Sequence, residues 1–260
     1  MVKGLYAAYT GMVNEQHRMD VLTNNLANAN TNGYKKEGAT SQSFNDVFAY
    51  KIKDGSDAPR TVKRIGINNL GVKIGEGYTD FSQGPLKSTS NPYDLALTDS
   101  GFFAVEYTNK NGDTSVKYTR DGNFTLNMEG ELVTQDGDFV LDKDGNHIQI
   151  DHQAGEVQIN ILGEIIQDGQ VVGEIQVTDF EDYNYLVHFG ENYYEPIEGA
   201  EETEPKAQIY AGFLETSNIS VVTEMVNMIS VSRAYDSNQK VITTIDSTLD
   251  VTANQLGRLG

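Results

Sequence analysis

The chain contains no cysteine and only four histidines among its 260 residues. Without cysteine it can form no disulfide, thiolate metal site or iron–sulfur cluster, and it has no thiol nucleophile. The histidines are His17, His147, His152 and His188, and none lies at a spacing typical of a metal-binding helix. These absences exclude several classes of enzyme and metalloprotein, and we expect neither a catalytic residue nor a metal or other cofactor.

Basic residues are also scarce. Lys and Arg number 19 against 38 Asp and Glu, which gives a net charge of −19. Such a charge argues against a protein that binds nucleic acid or an anionic membrane through phosphate contacts. No stretch is long and apolar enough to cross a bilayer, and Lys3 is followed by an amphipathic run rather than by the apolar core of a cleaved signal peptide. We therefore expect no membrane insertion, and export only by a route without a cleaved signal.

The first thirty residues carry apolar side chains at alternating spacings of three and four. The series comprises Leu5, Ala8, Met12, Glu15, Met19, Leu22, Leu26 and Ala29, and all but Glu15 are apolar. This heptad spacing predicts an α-helix with an apolar seam. An Asn-rich segment that ends in Gly33 follows, and the helix should end there because Asn and Gly tolerate the left-handed conformation.

The last fifty residues repeat the heptad pattern. The series comprises Val221, Glu224, Met228, Val231, Tyr235, Asn238, Ile242, Ile245, Leu249, Thr252, Leu256 and Leu259, and a second stripe runs beside it through Val222, Met225, Val226 and Ile229. No Pro or Gly interrupts residues 217–256, which predicts a helix of roughly forty residues, about 60 Å long. That length is typical of a coiled coil or bundle, and the alternative is an ordinary helix on its own globular core.

We expect the two seams to form an assembly interface, with the helices packed on each other or on neighbouring molecules. The candidate interface residues are Leu5, Met12, Met19, Leu22, Leu26, Val221, Met228, Val231, Tyr235, Ile242, Ile245, Leu249 and Leu256. Three further seam positions, Glu224, Asn238 and Thr252, are polar. A buried Asn can fix the register of a seam, and the alternative is that these side chains face solvent.

The middle of the chain, residues 66–210, has the pattern of a β domain. Glycine-containing turn dipeptides recur along it, namely Asn111-Gly112, Asp121-Gly122, Glu129-Gly130, Asp136-Gly137, Asp144-Gly145 and Asp168-Gly169. The short runs between them predict antiparallel hairpins, because a parallel return needs a long crossover. The acidic residues 191–204 are predicted to form an exposed loop, and residues 35–69 an extended connector.

Motifs for chemistry are weak. Residues 142–146 (DKDGN) suggest a calcium loop, but glycine follows the second Asp directly and position twelve is Gln153, so a hairpin turn is favoured. Gly71, Gly75 and Gly77 match neither a phosphate-binding loop nor a dinucleotide fingerprint, and we expect turns or close backbone approaches there. Acidic pairs are predicted to be solvated surface. The sequence leaves open a carboxylate pair of the glycosidase type, whose members need not be adjacent.

Three blocks of sequence resemble the axial rod and hook proteins of the bacterial flagellum. They are residues 20–35 (DVLTNNLANANTNGYK), then 83–86 (QGPL), 91–97 (NPYDLAL), 101–105 (GFFAV) and 118–124 (YTRDGNF), and finally 212–218 (GFLETSN), 224–229, 233–235 and 240–242. The residues that carry the signature include Asn24, Asn25, Leu26, Ala27, Asn28, Asn30, Thr31, Gly33, Asn91, Pro92, Asp94, Gly101, Phe102, Phe103, Arg233, Ala234 and Tyr235. Ser100 departs from the pattern, and residues 154–205 match no block.

The resemblance implies an α+β fold. Long terminal helices from residues 1–34 and 211–260 would form an inner coiled-coil layer, residues 35–69 a connector, and residues 70–210 a mainly antiparallel β domain. It also implies a structural, non-enzymatic subunit of the basal body, without cofactor, that assembles helically with copies of itself. Its other partners would be rod and hook subunits and surrounding ring or bushing proteins, with no nucleic acid, and it would be exported unfolded through the flagellar secretion channel.

Within the family, the length and block order are most similar to distal rod subunits, and proximal rod or hook subunits are the alternatives. Hook subunits are usually longer in the β region, which counts against the hook. An alternative from a different class is a carbohydrate-binding or adhesive β domain with helical oligomerisation arms. A generic coiled-coil scaffold is disfavoured by the ordered β blocks.

Overall fold

The computed structural model describes residues 2–44, 47–51, 63–68, 71–151, 154–155, 157–190 and 192–254. These residues form two compact units. The helical unit contains the described parts of Met1–Leu26, Glu37–Thr79 and Val221–Gly260, and the β unit contains Ala27–Lys36 and the described parts of Asp80–Ser220. Within the described ranges, every helix falls short of the length and apolarity that a membrane span needs.

A long helix lies at each end of the chain, as the heptad spacing predicts. Helix α1 spans Val2–Ala27 and helix α2 spans Val221–Asn254. The chain leaves α1 through residues 28–33, here called the Asn-rich turn, where Gly33 has a φ of +67°. This left-handed conformation at Gly33 confirms the expectation from its sequence.

Helix α2 begins four residues later than the uninterrupted sequence from residue 217 predicts. The side chain of Asn218 is bonded to backbone outside the helix: its Nδ2 donates to the Asp80 carbonyl at 2.8 Å, and its Oδ1 accepts from the Lys36 amide at 2.9 Å. Ser217 is buried. These long-range bonds hold residues 217–218 in the β unit, so the helix starts only at Val221.

Four strands accompany the helices. They are β1 (Lys36–Ser43), β2 (Val47–Lys51), β3 (Lys63–Asn68) and β4 (Val72–Asp80), with β1 paired to β4 and β2 paired antiparallel to β3. The predicted connector, residues 35–69, is therefore extended and hydrogen-bonded where it is described. Its residues 45–46, 52–62 and 69 lie outside the described residues. A Cβ on Gly71 would overlap the Thr10 hydroxyl, and one on Gly75 the Thr40 hydroxyl, so both glycines serve close approach as predicted.

The β unit contains sixteen strands among its described residues. They are β5 (Leu86–Ser88), β6 (Leu95–Thr98), β7 (Phe102–Thr108), β8 (Thr114–Thr119), β9 (Phe124–Leu126), β10 (Leu132–Thr134), β11 (Phe139–Val140), β12 (Val157–Ile159), β13 (Glu164–Gln167), β14 (Gln170–Glu174), β15 (Val177–Phe180), β16 (Leu186–Phe189), β17 (Tyr193–Pro196), β18 (Glu202–Thr203), β19 (Gln208–Ala211) and β20 (Phe213–Glu215). The nine-stranded sheet has the order β16-β17-β8-β7-β11-β10-β9, with β15 paired to β7 and β18. Strands β12-β13-β14, β19-β6 and β20-β5 form smaller sheets.

All pairings within the β unit are antiparallel, which confirms the predicted α+β class with a mainly antiparallel β domain. Five of the six turn dipeptides place their glycine at positive φ: Gly112, Gly130, Gly137, Gly145 and Gly169. The turn at residues 142–146 is closed by a 2.7 Å bond from the Gly145 amide to the Asp142 carbonyl, as the hairpin prediction requires.

The sixth dipeptide, Asp121-Gly122, was wrongly predicted as a hairpin turn. The chain passes there from β8 to β9, and β9 pairs with β10 rather than with β8. The Leu95 amide donates to the Gly122 carbonyl at 2.9 Å, and a Cβ on Gly122 would overlap the Leu95 carbonyl oxygen. The glycine is needed for this close backbone approach and not for a turn.

The prediction of an exposed loop over residues 191–204 was also wrong in part. Residues 193–196 form β17, between β16 and β8, and Tyr193 and Tyr194 are buried. The Tyr194 ring packs 5.2 Å from Phe81 and 5.6 Å from Phe102, measured between ring centroids. Burial of the Tyr193 and Tyr194 rings holds this part of the segment in the sheet, although its composition is acidic. Residues 197–199 and 201–204 are exposed, as predicted.

The core of the β unit lies on both faces of β7. Because strand side chains alternate between faces, Phe103 and Val105 join one apolar cluster, while Phe102 and Ala104 join the other. All four are fully buried. The signature phenylalanines Phe102 and Phe103 therefore hold two apolar layers onto one central strand.

Candidate functional site

The predicted seam of α2 lies on the less exposed side of that helix. Glu224 and Val231 are 1% and 2% exposed, and Met228, Tyr235, Asn238, Ile242 and Ile245 are partly buried. The two outer seam positions, Val221 and Leu249, are exposed. Leu256 lies outside the described residues. Of the polar seam positions, Asn238 is partly buried and Thr252 is exposed.

The five candidate interface residues of α1 are partly buried, namely Leu5, Met12, Met19, Leu22 and Leu26, and the seam residue Ala8 is buried. Two asparagines beside them attach the helix to β1. The Asn25 side chain donates from Nδ2 to the Glu37 carbonyl at 2.7 Å and accepts at Oδ1 from the Glu37 backbone N–H at 3.0 Å. The Asn14 side chain donates from Nδ2 to the Ser41 hydroxyl at 3.0 Å. Asn25 was predicted as a signature residue, whereas Asn14 was missed because a lone Asn off the seam carries no signal.

The two helices approach each other at glycines. A Cβ on Gly4 would lie 3.8 Å from Ile245 Cδ1, and one on Gly11 would lie 2.9 Å from Asn238 Nδ2. The contacts advance by seven residues on α1 while they retreat by seven on α2, which is the heptad step of an antiparallel pair. The absence of a side chain at Gly11 allows the close approach of Asn238, whereas a Cβ on Gly4 would make only an ordinary van der Waals contact. Neither glycine was predicted as a contact residue.

A second apolar face of α2 remains exposed. Val222, Met225, Val226 and Ile229, here called the outer stripe, are 72%, 48%, 61% and 54% exposed. Their spacing of three and four residues places them along one side of the helix. On α1, Tyr6, Tyr9 and Val13 are likewise exposed. Contiguous exposed apolar side chains on a soluble protein mark an interaction surface.

The β unit brings the three signature blocks together around a buried carboxylate. Glu215 is 1% exposed; its Oε1 accepts from Lys35 Nζ at 2.6 Å and from the Gly84 amide at 2.8 Å, and its Oε2 faces Arg120 Nη1 at 3.5 Å. Lys35 and Arg120 are 1% and 3% exposed. We call Lys35, Arg120 and Glu215, with the backbones of Gly33 and Gly84, the signature cluster.

Each of the two cations also donates to a backbone carbonyl, whereas the buried Arg120 Nε has no hydrogen-bond partner among the described residues. Lys35 Nζ donates to the Ser82 carbonyl at 3.0 Å, and Arg120 Nη2 donates to the Asp99 carbonyl at 2.7 Å. Burial lowers the pKa of Lys35, and the charge of Glu215 opposes that shift. One carboxylate therefore compensates two buried cations, and the cluster depends on it.

Backbone contacts connect the same blocks. The Gly33 amide donates to the Glu215 carbonyl at 2.8 Å, and a Cβ on Gly33 would lie 2.5 Å from the carbonyl carbon of Arg120. The Gly212 amide donates to the Asp94 carbonyl at 2.7 Å, and the Asp94 carboxylate accepts from Asn91 at 3.0 Å. The Asn-rich turn, the second block and the third block thus form one buried junction.

Not every signature residue lies in this junction. Arg233, Ala234 and Tyr235 belong to α2, and Asn24 and Asn25 to α1, in the helical unit. Asn28 accepts from the Thr31 hydroxyl within the turn, and Gly101 has a φ of +138° at the start of β7. The charged cluster residues Lys35, Arg120 and Glu215 were part of the quoted blocks but were not predicted as site residues. Charged residues within blocks of small and apolar residues were the available signal.

No group of histidines and carboxylates within the described ranges is arranged to hold a metal ion. The pKa of one carboxylate, that of Asp121, is nevertheless raised. Burial raises the pKa of Asp121 to about 6, and the charges of Asp136 and Asp94 act in the same direction. Bonds from the Asn123 amide, 3.0 Å, and from Asn192 Nδ2, 3.4 Å, oppose the shift.

This raised pKa predicts a pH dependence of stability. Because the folded pKa exceeds the unfolded value, Asp121 holds a proton in the folded state that the unfolded chain has lost between about pH 4 and 6. Its stabilising contribution is present below the unfolded pKa and is lost as pH rises through the folded pKa. Replacing Asp121 by Asn should remove this dependence, so the variant should gain up to about 3 kcal/mol relative to the wild type between pH 4 and 8.

Chemical denaturation of both proteins at pH 4, 5, 6, 7 and 8 measures this difference. The comparison between the two proteins cancels the titration of the other carboxylates. A constant difference across the range would contradict the assignment.

Three family models match the chain. They are described as "Flagella basal body rod protein" over residues 5–35, "Flagellar hook protein FlgE/F/G D1 domain" over residues 96–167, and "Flagellar basal body rod FlgEFG protein C-terminal" over residues 210–256. The matched segments contain α1, the central strands of the β unit and α2, in that order.

Curated relatives match over their full length. The flagellar basal-body rod protein FlgF of Caulobacter vibrioides is 34% identical, with 100% of this chain and 99% of the relative covered. FlgG of Bacillus subtilis is 33% identical, with 98% and 99% covered. The flagellar hook-basal body complex protein FlhO of the same bacterium is 31% identical, with both chains fully covered.

Proposed function

The chain belongs to the flagellar basal-body rod protein family, and from that premise we propose that it assembles helically into the distal part of the rod and transmits torque from the motor to the hook. Members of this family are structural proteins and not enzymes. As a member of this family, the chain is a structural subunit of the rod in the flagellar basal body. The full-length matches favour this function over a carbohydrate-binding domain with oligomerisation arms.

The outer stripe carries the proposal. One face of α2 is turned to its own helical unit, while Val222, Met225, Val226 and Ile229 stay exposed. A rod needs head-to-tail contacts that do not close into a ring, and such contacts require a surface that is still free after the subunit has folded. Covering an exposed Val or Ile is worth about 1–2 kcal/mol at these partial exposures, so four such side chains make a sizeable contact.

The helix contacts support a further part of the proposal, an inner coiled-coil layer built from α1 and α2. The Gly4–Ile245 and Gly11–Asn238 approaches are one heptad apart and antiparallel. The Asn238 side chain packs against Gly11, where no side chain is present. A polar side chain at such a position can fix the register of a seam. The torsional stiffness of the rod would then come from helices that are held in a fixed register.

Length and block order support the proposed place along the rod. The FlgF, FlgG and FlhO relatives match from end to end, at 34%, 33% and 31% identity, so the chain has the length of these relatives. This favours a rod subunit over a hook subunit, and the order of blocks favours the distal rod. Other rod and hook subunits, and the rings around the rod, are the partners we propose, with export through the flagellar channel.

A charge in the outer stripe should block assembly without unfolding the subunit. We expect Val226→Asp, at a position 61% exposed, to change the free energy of unfolding by less than about 0.5 kcal/mol. In the assembled rod the same charge would be buried without a partner, which costs several kcal/mol. Cells that carry only this variant should therefore lack complete rods and be non-motile, as judged by electron microscopy of purified basal bodies.

Two further variants make this result specific. Gln239→Asp adds a carboxylate at an exposed position of α2 outside the outer stripe and should leave rods normal. Val231→Asp puts the charge at a position 2% exposed and should destabilise the isolated subunit itself. Complete rods in the Val226→Asp strain would overturn the proposed interface.

A further inference from the structure

A cavity of about 370 Å³ opens in the β unit beside the signature cluster. Its walls come from β8, β10, β16, β17, the turn after β10 and the Asn-rich turn. The lining residues are Thr31, Tyr107, Thr119, Asp121, Asn123, Thr134, Gln135, Asp136, Phe189, Gly190, Asn192 and Tyr193. We call this cavity the acidic pocket, because Asp121 and Asp136 are the charged members of its lining among the residues that the structure describes.

The positive groups near the pocket are already paired. Lys117 is buried, and its Nζ lies 2.8 Å from Glu195 Oε2. Arg120, the neighbour of Asp121 in the chain, directs its guanidinium to the Asp99 carbonyl and to Glu215. The burial that raises the pKa of Asp121 is thus offset by hydrogen bonds alone, with no cation among the lining residues.

The rest of the lining suits an organic cation. Tyr107 and Phe189 meet edge to face with centroids 5.3 Å apart, and Tyr193 lies 6.1 Å from Tyr107. The Phe189 ring already contacts a cation of the same chain, because Lys117 Nζ lies 4.4 Å from its centroid, so Tyr107 and Tyr193 supply the aromatic contacts for a further cation. The buried Oδ1 of Asn192 accepts no hydrogen bond from any described residue. Carboxylates, an amide oxygen and aromatic rings together complement an ammonium or guanidinium group.

We propose that the acidic pocket receives a lysine or arginine side chain of a second copy of this chain. The proposal rests on the proposed function, which brings copies into contact. Each subunit has a net charge of −19, so neighbouring copies repel each other unless cations of one meet carboxylates of the other. The β unit carries exposed lysines of its own, at Lys87, Lys110 and Lys206, that could serve as donors.

A charge reversal in the pocket tests this contact. Asp136 is exposed in the Asp136-Gly137 turn, so Asp136→Lys should leave the subunit folded while it repels the incoming cation. The fraction of basal bodies with complete rods should fall about tenfold or more. The matched control is Asp144→Lys, which makes the same charge change in the exposed Asp144-Gly145 turn and should leave that fraction unchanged. Equal fractions for the two variants would overturn the proposal.

Crosslinking identifies the occupant. Because the chain has no cysteine, Gln135→Cys on the exposed part of the lining gives each copy of this chain a single site for benzophenone-maleimide in assembled basal bodies. Irradiation should join it to a peptide of a second copy that contains an exposed lysine or arginine, as read by mass spectrometry. A crosslink only to another basal-body protein, or to no protein at all, would contradict the second-copy assignment.

The two proposals can fail separately. If the Val226→Asp variant assembles normally, the outer stripe is not the interface and the proposed mode of assembly fails. If that variant is blocked while Asp136→Lys assembles like Asp144→Lys, only the acidic pocket loses its role.

Discussion

Replacing Glu215 by alanine is expected to lower the free energy of unfolding of the β unit by about 3–5 kcal/mol. The change would leave Lys35 and Arg120, whose side chains are 1% and 3% exposed, without their shared counter-charge. Removing one member of a buried ion pair is far more costly than the net worth of the pair, because the remaining charge stays desolvated. The Gly84 amide would lose its acceptor as well.

Urea unfolding followed by circular dichroism measures the loss, and amide hydrogen exchange in β7 assigns it to the β unit. The control is Glu174→Ala, which removes the partner of Lys143 in an exposed pair with side chains 70% and 37% exposed. Such a pair contributes at most about 1 kcal/mol. A Glu215→Gln variant, which keeps an oxygen acceptor without the charge, should fall between the two. Equal stability of Glu215→Ala and Glu174→Ala would show that the signature cluster does not hold the junction.

The second large effect is expected at Gly33. Its φ of +67° disfavours any residue with a side chain, and a Cβ would meet the Arg120 carbonyl carbon at 2.5 Å. We expect Gly33→Ala to cost about 3–5 kcal/mol, since backbone strain adds to the displacement of a buried backbone segment. The hydrogen bond from the Gly33 amide to the Glu215 carbonyl would be displaced at the same time.

Gly137→Ala separates the two contributions. Gly137 has a φ of +93° and open space around its Cβ position, so this variant meets the strain without the collision. It should cost about 1–2 kcal/mol. Thermal and urea unfolding of both variants give the comparison. Losses of the same size would mean that Gly33 is required for its conformation alone and not for its contact with the second block.

Features that are local in sequence could be predicted. The heptad spacing, with no Pro or Gly between residues 217 and 256, predicts α2, and the Gly-containing dipeptides predict five turns that have the expected positive φ. Asp121-Gly122 has the same composition as those turns but a different cause, a backbone approach from Leu95. A dipeptide cannot distinguish a glycine required by its own φ from one required by a neighbour distant in sequence.

Features that depend on distant pairs were not predictable. Lys35 and Glu215 are 180 residues apart, and nothing in either block indicates that the two charges meet. β17 was missed because the prediction used the acidic composition of the whole segment, residues 191–204, and so gave no weight to the apolar rings of Tyr193 and Tyr194. The apolar character of the outer stripe was visible in the heptad pattern, but which of the two stripes stays exposed depends on how the helical unit packs.

The long separation between Lys35 and Glu215 also has a kinetic consequence. A chain appears N-terminal end first, so Lys35 is available long before the carboxylate that neutralises it. Closing so long a loop is slow, because its entropy is lost before the contact can stabilise anything. Gly33, Gly84 and Arg120 also contact Glu215, so the junction cannot close before the segment at Glu215 is present. A chain that ends before the third block lacks the carboxylate that neutralises Lys35 and Arg120, and therefore cannot form the junction.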